Sequence, residues 1–246
     1  MLQPMALRQT VERLSRDGYA FLPPGTAAAA LELGGVERLD PLAAAWSRLP
    51  RDDYLRDGGR YRSRRHSCFV QDFPAATLSA VARRPHWQST SYNALHGGIE
   101  RWFEPVEAEV VNADAWVRLV ASIGVLFATL RSVERWFIEA HQFRIDTEGG
   151  IGRPTPEGAH RDGVDFVVVI LVRRHGIRGG ETRVFDTQGS SGVRFTMIEP
   201  WSMLLMDDAR VVHETTPIQP GGVPGFRDTL VLTYRAGGFQ APDALP

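Results

Sequence analysis

The hydrophobic pattern of the chain changes from a helical to a strand-like period at about residue 140, and this change limits the folds that the sequence can adopt. Two stretches of the first half, 5–17 and 114–137, carry apolar residues mostly three or four apart, which predicts amphipathic helices. The second half contains short apolar segments separated by glycine, proline and aspartate, which predicts β-strands. The segment 164–172 is apolar at nearly every position, as expected for a strand covered on both faces.

A helical half followed by several short strands predicts a β-sandwich or barrel with helices packed on it. Residues 52–69 are charged and contain glycine, which predicts a loop that leads into a strand. Because no repeat, low-complexity segment or linker interrupts the sequence, we expect one domain over 1–246. In this domain, 1–140 would supply mostly helical support and substrate-side loops, and 141–240 would form the metal-binding β core.

Two features of the composition restrict the chemistry. The chain contains no lysine, so all 28 basic residues are arginine, and this excludes lysine Schiff bases, pyridoxal-phosphate attachment and a lysine-dependent phosphate loop. The single cysteine, Cys68, excludes an internal disulfide, a thiolate zinc cluster and a conventional iron–sulfur site. A metal ion in this protein would therefore be held by nitrogen and oxygen atoms.

Charge and hydropathy also argue against two kinds of partner. The formal net charge is -1, so the chain has no basic excess with which to bind nucleic acid. The first residues lack the basic start and unbroken apolar run of a secretory signal, and no run of about 18 apolar residues occurs. The sequence therefore predicts a cytoplasmic protein without a nucleic-acid or membrane partner.

The most informative short segment contains His160 and Asp162, just before the long apolar segment. Residues two apart on an extended chain point to the same face, so this pair could bind one metal ion. His213, at the end of another apolar segment, could be the third ligand. Two histidines and one carboxylate are the ligand set of non-haem iron(II) oxygenases, although a His-x-Asp triplet by itself also occurs by chance.

Arg227 and Thr229 form a second pair, fourteen and sixteen residues after His213. They lie at the start of an apolar strand, where alternation puts both side chains on one face. A guanidinium group can bind both oxygens of a carboxylate, and a neighbouring hydroxyl adds another donor. The pair therefore predicts a binding site for a carboxylate-bearing ligand near the metal.

Through these residues and the longer segments around them, the sequence resembles the iron(II)/2-oxoglutarate-dependent dioxygenases. It is most similar to the bacterial branch that hydroxylates free amino acids, such as isoleucine 4-hydroxylase. The segments that carry the resemblance are GGRYRSRR, YNALHGGIERWFEP, HQFRI, PEGAHRDGVDFVVVILV, GGETRVFD and the spacing from His213 to Arg227. The resemblance implies that His160, Asp162 and His213 bind iron(II) (Fe²⁺). It also implies that Arg227, helped by Thr229, binds the distal carboxylate of 2-oxoglutarate, with dioxygen as the other co-substrate.

An amino acid substrate would need partners for its carboxylate and its amine. Three arginines are candidates for the carboxylate, namely Arg62, Arg144 and Arg161, and Asp165 is a candidate for the amine. Gln142 shares a strand face with Arg144, so it could contact 2-oxoglutarate or the substrate. Burial in ordinary structural interactions is the alternative for each of these residues. The other histidines lack a carboxylate at matching spacing and are interpreted as structural: His66, His86, His96, His141 and His175.

The expected fold is thus an α+β or mainly β domain, a double-stranded β-helix (jelly roll) with helices packed on it. The expected function is an oxidoreductase that hydroxylates an unactivated C–H bond of a small free L-amino acid and releases succinate and carbon dioxide. One alternative keeps the chemistry but acts on a peptide or carrier-bound residue, or desaturates or cyclises its substrate. The other alternative is a metal-binding β-barrel without turnover.

Overall fold

A computed structural model of the chain describes residues 5–93, 95, 97–189 and 191–242. Within these residues it contains four α-helices and a 3₁₀ helix: α1 (Met5–Asp17), α2 (Pro24–Ala30), the 3₁₀ helix (Val36–Arg48), α3 (Ala108–Val111) and α4 (Asp114–Ala128). It also contains twelve strands: β1 (Tyr19–Leu22), β2 (Arg62–Asp72), β3 (Thr77–Ala80), β4 (Arg135–Asp146), β5 (Phe166–His175), β6 (Ile177–Gly179), β7 (Glu181–Asp186), β8 (Gly192–Thr196), β9 (Met203–Asp207), β10 (Val211–Thr215), β11 (Ile218–Pro220) and β12 (Phe226–Arg235).

The strands form one large and two small antiparallel sheets. The large sheet has seven strands in the order β1-β9-β5-β12-β4-β2-β3. The small sheets have the orders β10-β7-β8 and β11-β6. Strands from both ends of the chain are therefore neighbours in the large sheet.

The long apolar segment forms β5, and its two faces belong to different cores. Val168 and Ile170 are buried in the core between the large sheet and the helices. Val167 and Val169 lie in a second core, which includes Val184 of the three-stranded sheet. The prediction that this strand is covered on both faces is confirmed, and the paired sheets with helices outside them form the expected double-stranded β-helix.

The helices cover the outer face of the large sheet. The indole Nε1 of Trp46, in the 3₁₀ helix, donates a hydrogen bond to the carbonyl oxygen of Thr229 at 3.1 Å. The hydroxyl of Tyr234 in β12 donates one to the carbonyl oxygen of Val120 in α4 at 2.8 Å. These buried bonds fix the backbone of β12 from outside. None of the described helices is long and apolar enough to span a membrane.

Two expectations about the first half of the chain need correction. The helix predicted over 114–137 ends at Ala128, and β4 begins at Arg135. Trp136 fits the helical spacing by coincidence, because its burial comes from alternation along β4, whose neighbours are β2 and β12. The first 140 residues are also less helical than expected, since β1, β2, β3 and the start of β4 are strands of the large sheet. The strand predicted after the loop in 52–69 is present as β2.

Candidate active site

A cavity opens on the inner face of the large sheet and encloses about 980 Å³, including its open mouth. Alternate residues of each strand line it, as the period of an extended chain requires. The wall formed by β4 and β12 consists of Glu139, His141, Phe143, Ile145, Arg227, Thr229, Val231 and Thr233. The other walls come from β2, β5 and β10, from the loops before β5 and between β3 and α3, and from Gln240.

The structure brings His160, Asp162 and His213 together in this cavity. The Nε2 atom of His160 lies 3.8 Å from Oδ1 of Asp162, and Nε2 of His213 lies 3.9 Å from Oδ2 of the same carboxylate. One donor atom from each residue lies within 4.8 Å of the other two, a spacing that allows a single metal ion to bind all three. The arrangement therefore suits a metal with nitrogen and oxygen ligands.

The backbone explains why these two histidines meet. His160 and His213 form an isolated antiparallel bridge, with backbone hydrogen bonds of 3.1 Å and 3.0 Å in the two directions. The Nδ1 atom of His160 donates to the carbonyl oxygen of Gly158 at 3.0 Å, which leaves Nε2 as the nitrogen that can bind a metal. Although burial opposes it, the charges of Asp162 and Glu157 raise the pKa of this ring, so a metal that binds Nε2 displaces a proton. Burial and the facing His160 lower the pKa of His213 well below its usual value, so His213 is neutral, as a metal ligand must be.

Asp208 holds the loop that carries Asp162. Its carboxylate accepts backbone N–H bonds from Asp162 at 2.9 Å, Gly163 at 2.8 Å and Val164 at 3.1 Å. Asp208 is almost fully buried, with 1% exposure, and burial together with the charge of Asp162 raises its pKa to about 6. This residue positions the carboxylate of the candidate metal centre.

Asp208→Asn is therefore expected to weaken iron(II) binding by about 10- to 100-fold, because an amide has one acceptor oxygen where the carboxylate has two. An iron(II) titration of the purified variant measures the effect. Asp207→Asn is the matched control, since its carboxylate accepts a bond from Ala209 outside the cavity. Equal iron affinity in the wild type and Asp208→Asn would contradict this positioning role.

Gln88 links the metal centre to a buried arginine. Its Nε2 donates to Oδ1 of Asp162 at 3.0 Å, and its Oε1 accepts bonds from Asn93 at 3.2 Å and Arg101 at 3.1 Å. A carboxylate oxygen of Asp162 is thereby kept in a fixed orientation. The sequence alone does not identify Gln88 or Arg101 as site residues, because both lie in a segment without a regular period.

Arg227 and Thr229 lie on the inner face of β12, as predicted, and both are 3% exposed. The Nε and Nη2 atoms of Arg227 are buried and have no hydrogen-bond partner among the described residues. Burial, with a smaller effect from Arg174, lowers the pKa of Arg227 to about 10. A buried cation with two free donors is unfavourable unless an anion binds to it, so the geometry fits a ligand carboxylate.

A second cluster of ionisable residues, His66, His86, Glu139 and His141, lies partly in the wall of the same cavity. Oε2 of Glu139 is 2.8 Å from Nε2 of His66 and 2.7 Å from Nδ1 of His86. Burial alone would raise the pKa of Glu139, but the two histidines together hold it below its usual range. Nη2 of Arg64 lies 2.7 Å from Nδ1 of His141, and arginine can only donate. The neutral His141 ring therefore carries its proton on Nε2, which cannot then bind a metal, so we place the metal at the other cluster.

The structure does not bring four of the predicted substrate or co-substrate contacts to the cavity. Gln142 and Arg144 lie on the outer face of β4, where Arg144 donates two hydrogen bonds to Asp228 at 2.8 Å and 2.7 Å. Arg161 does not line the cavity, and its Nε donates to the carbonyl oxygen of Asp208 at 2.5 Å. Asp165 pairs with Arg131 and accepts the backbone N–H of Ala236. For Gln142 and Arg144 the reason is strand parity, which turns the neighbours of inward residues outward. Arg161 and Asp165 lie instead in the loop before β5, where their side chains are bonded to Asp208 and Arg131.

The remaining predicted residues within the described part of the chain lie in the cavity wall, in the second cluster or on the surface. Arg62 does line the cavity, and its Nε donates to Asp52 at 2.7 Å. His66, His86 and His141 form the hydrogen-bonded cluster just described, although two of them also line the cavity. His175 is exposed at the end of β5. His96 lies outside the described residues.

Comparison with known proteins identifies the class. The family model described as "2OG-Fe dioxygenase" matches residues 43–233, and the chain belongs to this family, whose members use iron(II), 2-oxoglutarate and dioxygen. The chain is therefore a 2-oxoglutarate-dependent oxygenase.

Solved structures show the same fold. The crystal structure of a bsmA homolog from Methylobium petroleophilum PM1 is 53% identical, with a TM-score of 0.92 over 97% of this chain and 96% of that chain. IDO from Bacillus thuringiensis is 17% identical, with a TM-score of 0.76 over 94% and 99% of the two chains. The Fe(II)/α-ketoglutarate-dependent dioxygenase TqaL is 18% identical, with a TM-score of 0.70 over 93% and 86%. No curated protein matches the sequence significantly.

Proposed function

We propose that this oxygenase hydroxylates a small free L-amino acid, with His160, Asp162 and His213 as iron(II) ligands and Arg227 and Thr229 as the site for the distal carboxylate of 2-oxoglutarate. When bound, iron, 2-oxoglutarate and dioxygen supply the oxidising power, and succinate and carbon dioxide are released. The side chains of the protein position the reacting carbon and exclude other oxidations.

One observation carries the co-substrate part of this proposal. The two free, buried donors of Arg227 lie in the same cavity as the two-histidine, one-carboxylate cluster. A metal-binding barrel without turnover has no use for a second carboxylate site beside its metal, whereas 2-oxoglutarate requires one. The residues present therefore fit both iron(II) and 2-oxoglutarate.

The cavity also supports a small, charged second ligand. Besides Arg227, the lining contains three buried arginines, Arg62, Arg64 and Arg101, and the carboxylate of Glu157. Apolar lining is supplied by side chains such as Phe143 and Val231. A small molecule with charged groups at one end and an apolar body suits this combination.

The proposal is tested by succinate formation with the purified, iron(II)-loaded protein in air. Each free L-amino acid is added with 2-oxoglutarate, and a reaction without amino acid is the control. We expect one or a few amino acids to raise succinate well above the control and to yield a product heavier by one oxygen atom. Slow succinate release that no amino acid changes would contradict the substrate class, and the absence of any succinate would favour the binding-protein alternative.

A further inference from the structure

Besides Arg227, three buried arginines of the cavity have donors without an acceptor. The atoms are Nη2 of Arg62, Nε of Arg64 and Nε of Arg101, and none has a hydrogen-bond partner among the described residues. Arg62 and Arg64 share the carboxylate of Asp52, with Nε of Arg62 at 2.7 Å and Nη1 of Arg64 at 3.9 Å from its Oδ2. These donors stay unsatisfied although the carboxylates of Asp52 and Glu139 lie near enough to offset part of the positive charge.

Arg64 and Arg101 are held in place before a ligand arrives. The guanidinium group of Arg64 lies 3.8 Å from the ring centre of Phe103 and 4.5 Å from that of Phe143, so it is sandwiched between two aromatic faces. The side chain of Arg101 donates through Nη2 to Gln88 at 3.1 Å. Because Gln88 also donates to Asp162, Arg101 is fixed relative to the metal centre.

The cavity lining also offers two acceptors without a donor among the described residues, Oε2 of Glu157 and Oε1 of Gln240, and only the first belongs to a charged group. Oε2 of Glu157 is buried and has no hydrogen-bond partner among the described residues, while Oε1 lies 3.7 Å from Nε2 of His160. Its negative charge is close enough to act on Arg101. Free donors and a free acceptor in one small cavity are complementary to a ligand that carries a carboxylate and an ammonium group on the same carbon.

We propose that Arg64 and Arg101 bind the α-carboxylate of the substrate and that Glu157 binds its α-ammonium group. This inference rests on the proposed function and assigns the substrate site to residues. An internal peptide residue has neither charged group, and a carrier-bound aminoacyl group keeps the ammonium but lacks the carboxylate. The site would therefore select the free amino acid over both, because unmatched buried charges strongly disfavour a ligand that lacks the partner group.

The test is equilibrium binding without turnover, by calorimetry on protein loaded with iron(II) and 2-oxoglutarate under anaerobic conditions. The probes are the amino acid that gives the most succinate, its α-carboxamide and its des-amino carboxylic acid. Arg101→Gln should raise the Kd of the amino acid and of the des-amino acid by about 10- to 100-fold. Glu157→Gln should raise the Kd of the amino acid to a similar extent but change that of the des-amino acid by less than about twofold. Wild type should bind the carboxamide as weakly as Arg101→Gln binds the amino acid.

The control is Arg135→Gln, which removes a half-exposed arginine paired with Asp72 outside the cavity and should leave every Kd unchanged. Arg101→Lys keeps the charge without the planar fork, so its Kd for the amino acid should lie between those of the wild type and Arg101→Gln. This second variant keeps the test valid if Arg101→Gln does not fold. Wild-type affinity in either Arg101 variant, or equal weakening of both acids by Glu157→Gln, would overturn the assignment. In that case, stimulation of succinate formation by an amino acid in the wild type still supports the proposed function. If no amino acid stimulates succinate formation, both the residue assignment and the proposed function are overturned.

Discussion

Replacing His160 or His213 with alanine is expected to remove iron(II) binding and to reduce 2-oxoglutarate-dependent succinate formation by about 1,000-fold or more. Each substitution removes one of three protein ligands from a cluster whose donor atoms lie within 4.8 Å of one another. The remaining histidine and Asp162 would not hold the ion at working concentrations. Iron content per chain and the rate of succinate release measure the two effects separately.

His175→Ala is the matched control, because this histidine lies exposed at the end of β5 and does not line the cavity. It should bind iron and form succinate like the wild type. Thermal unfolding of all three variants establishes that they are folded. Iron-dependent turnover by His160→Ala at the wild-type rate would refute our assignment of the metal ligands.

Arg227→Met is expected to raise the KM for 2-oxoglutarate by about 100-fold, because the variant loses a charged, two-point contact with the distal carboxylate.

The same variant should be at least as stable as the wild type without ligand. Arg227 is 3% exposed and has two buried donors without partners, so methionine removes an uncompensated buried charge at similar volume. We expect the free energy of unfolding to rise by about 1 kcal/mol.

Adding 2-oxoglutarate separates the loss of co-substrate binding in Arg227→Met from its gain in stability. The co-substrate should raise the melting temperature of the wild type, because it binds only the folded state, and should have little effect on Arg227→Met. Arg173→Met is the control for the KM, since Arg173 donates to the carbonyl oxygen of Ala43 and pairs with Asp228 at 3.6 Å, both outside the cavity. An unchanged KM in Arg227→Met would remove Arg227 from the co-substrate site.

The sequence was most informative where strand alternation and spacing act together. The His-x-Asp pair, the later His213 and the alternate positions Arg227 and Thr229 all come together in one cavity. Alternation explains why the members of each pair share a face, because residues two apart on an extended chain point the same way. That His213 and Arg227 join the His-x-Asp pair in one site was implied by the family resemblance. The apolar run of β5 likewise predicted a strand with a core on each side.

Strand parity explains the expectations that failed. Gln142 and Arg144 do share a face, but β2 and β12 on either side of β4 determine which face is inside. A shift of one residue exchanges the two faces, and the sequence of β4 alone does not indicate which one contacts the ligand. His141 and Phe143 face the cavity as a result.

The loop residues could not be predicted for a different reason. Arg101 and Glu157 lie in segments with no helical or strand period, so their positions depend on tertiary contacts such as the bond from Arg101 to Gln88. The cluster of His66, His86 and Glu139 also joins residues far apart in the sequence. No local spacing signals such contacts, because His66 meets Glu139 only when β2 and β4 pair and His86 comes from a loop outside both strands.

The most direct test of iron- and 2-oxoglutarate-dependent amino acid hydroxylation is the fate of isotopically labelled dioxygen. The reaction contains the iron(II)-loaded protein, 2-oxoglutarate and the amino acid that most stimulates succinate formation, and both products are analysed by mass spectrometry. We predict one labelled oxygen atom in succinate and one in a new hydroxyl group of the amino acid. Labelled succinate with every amino acid recovered unchanged would contradict the account.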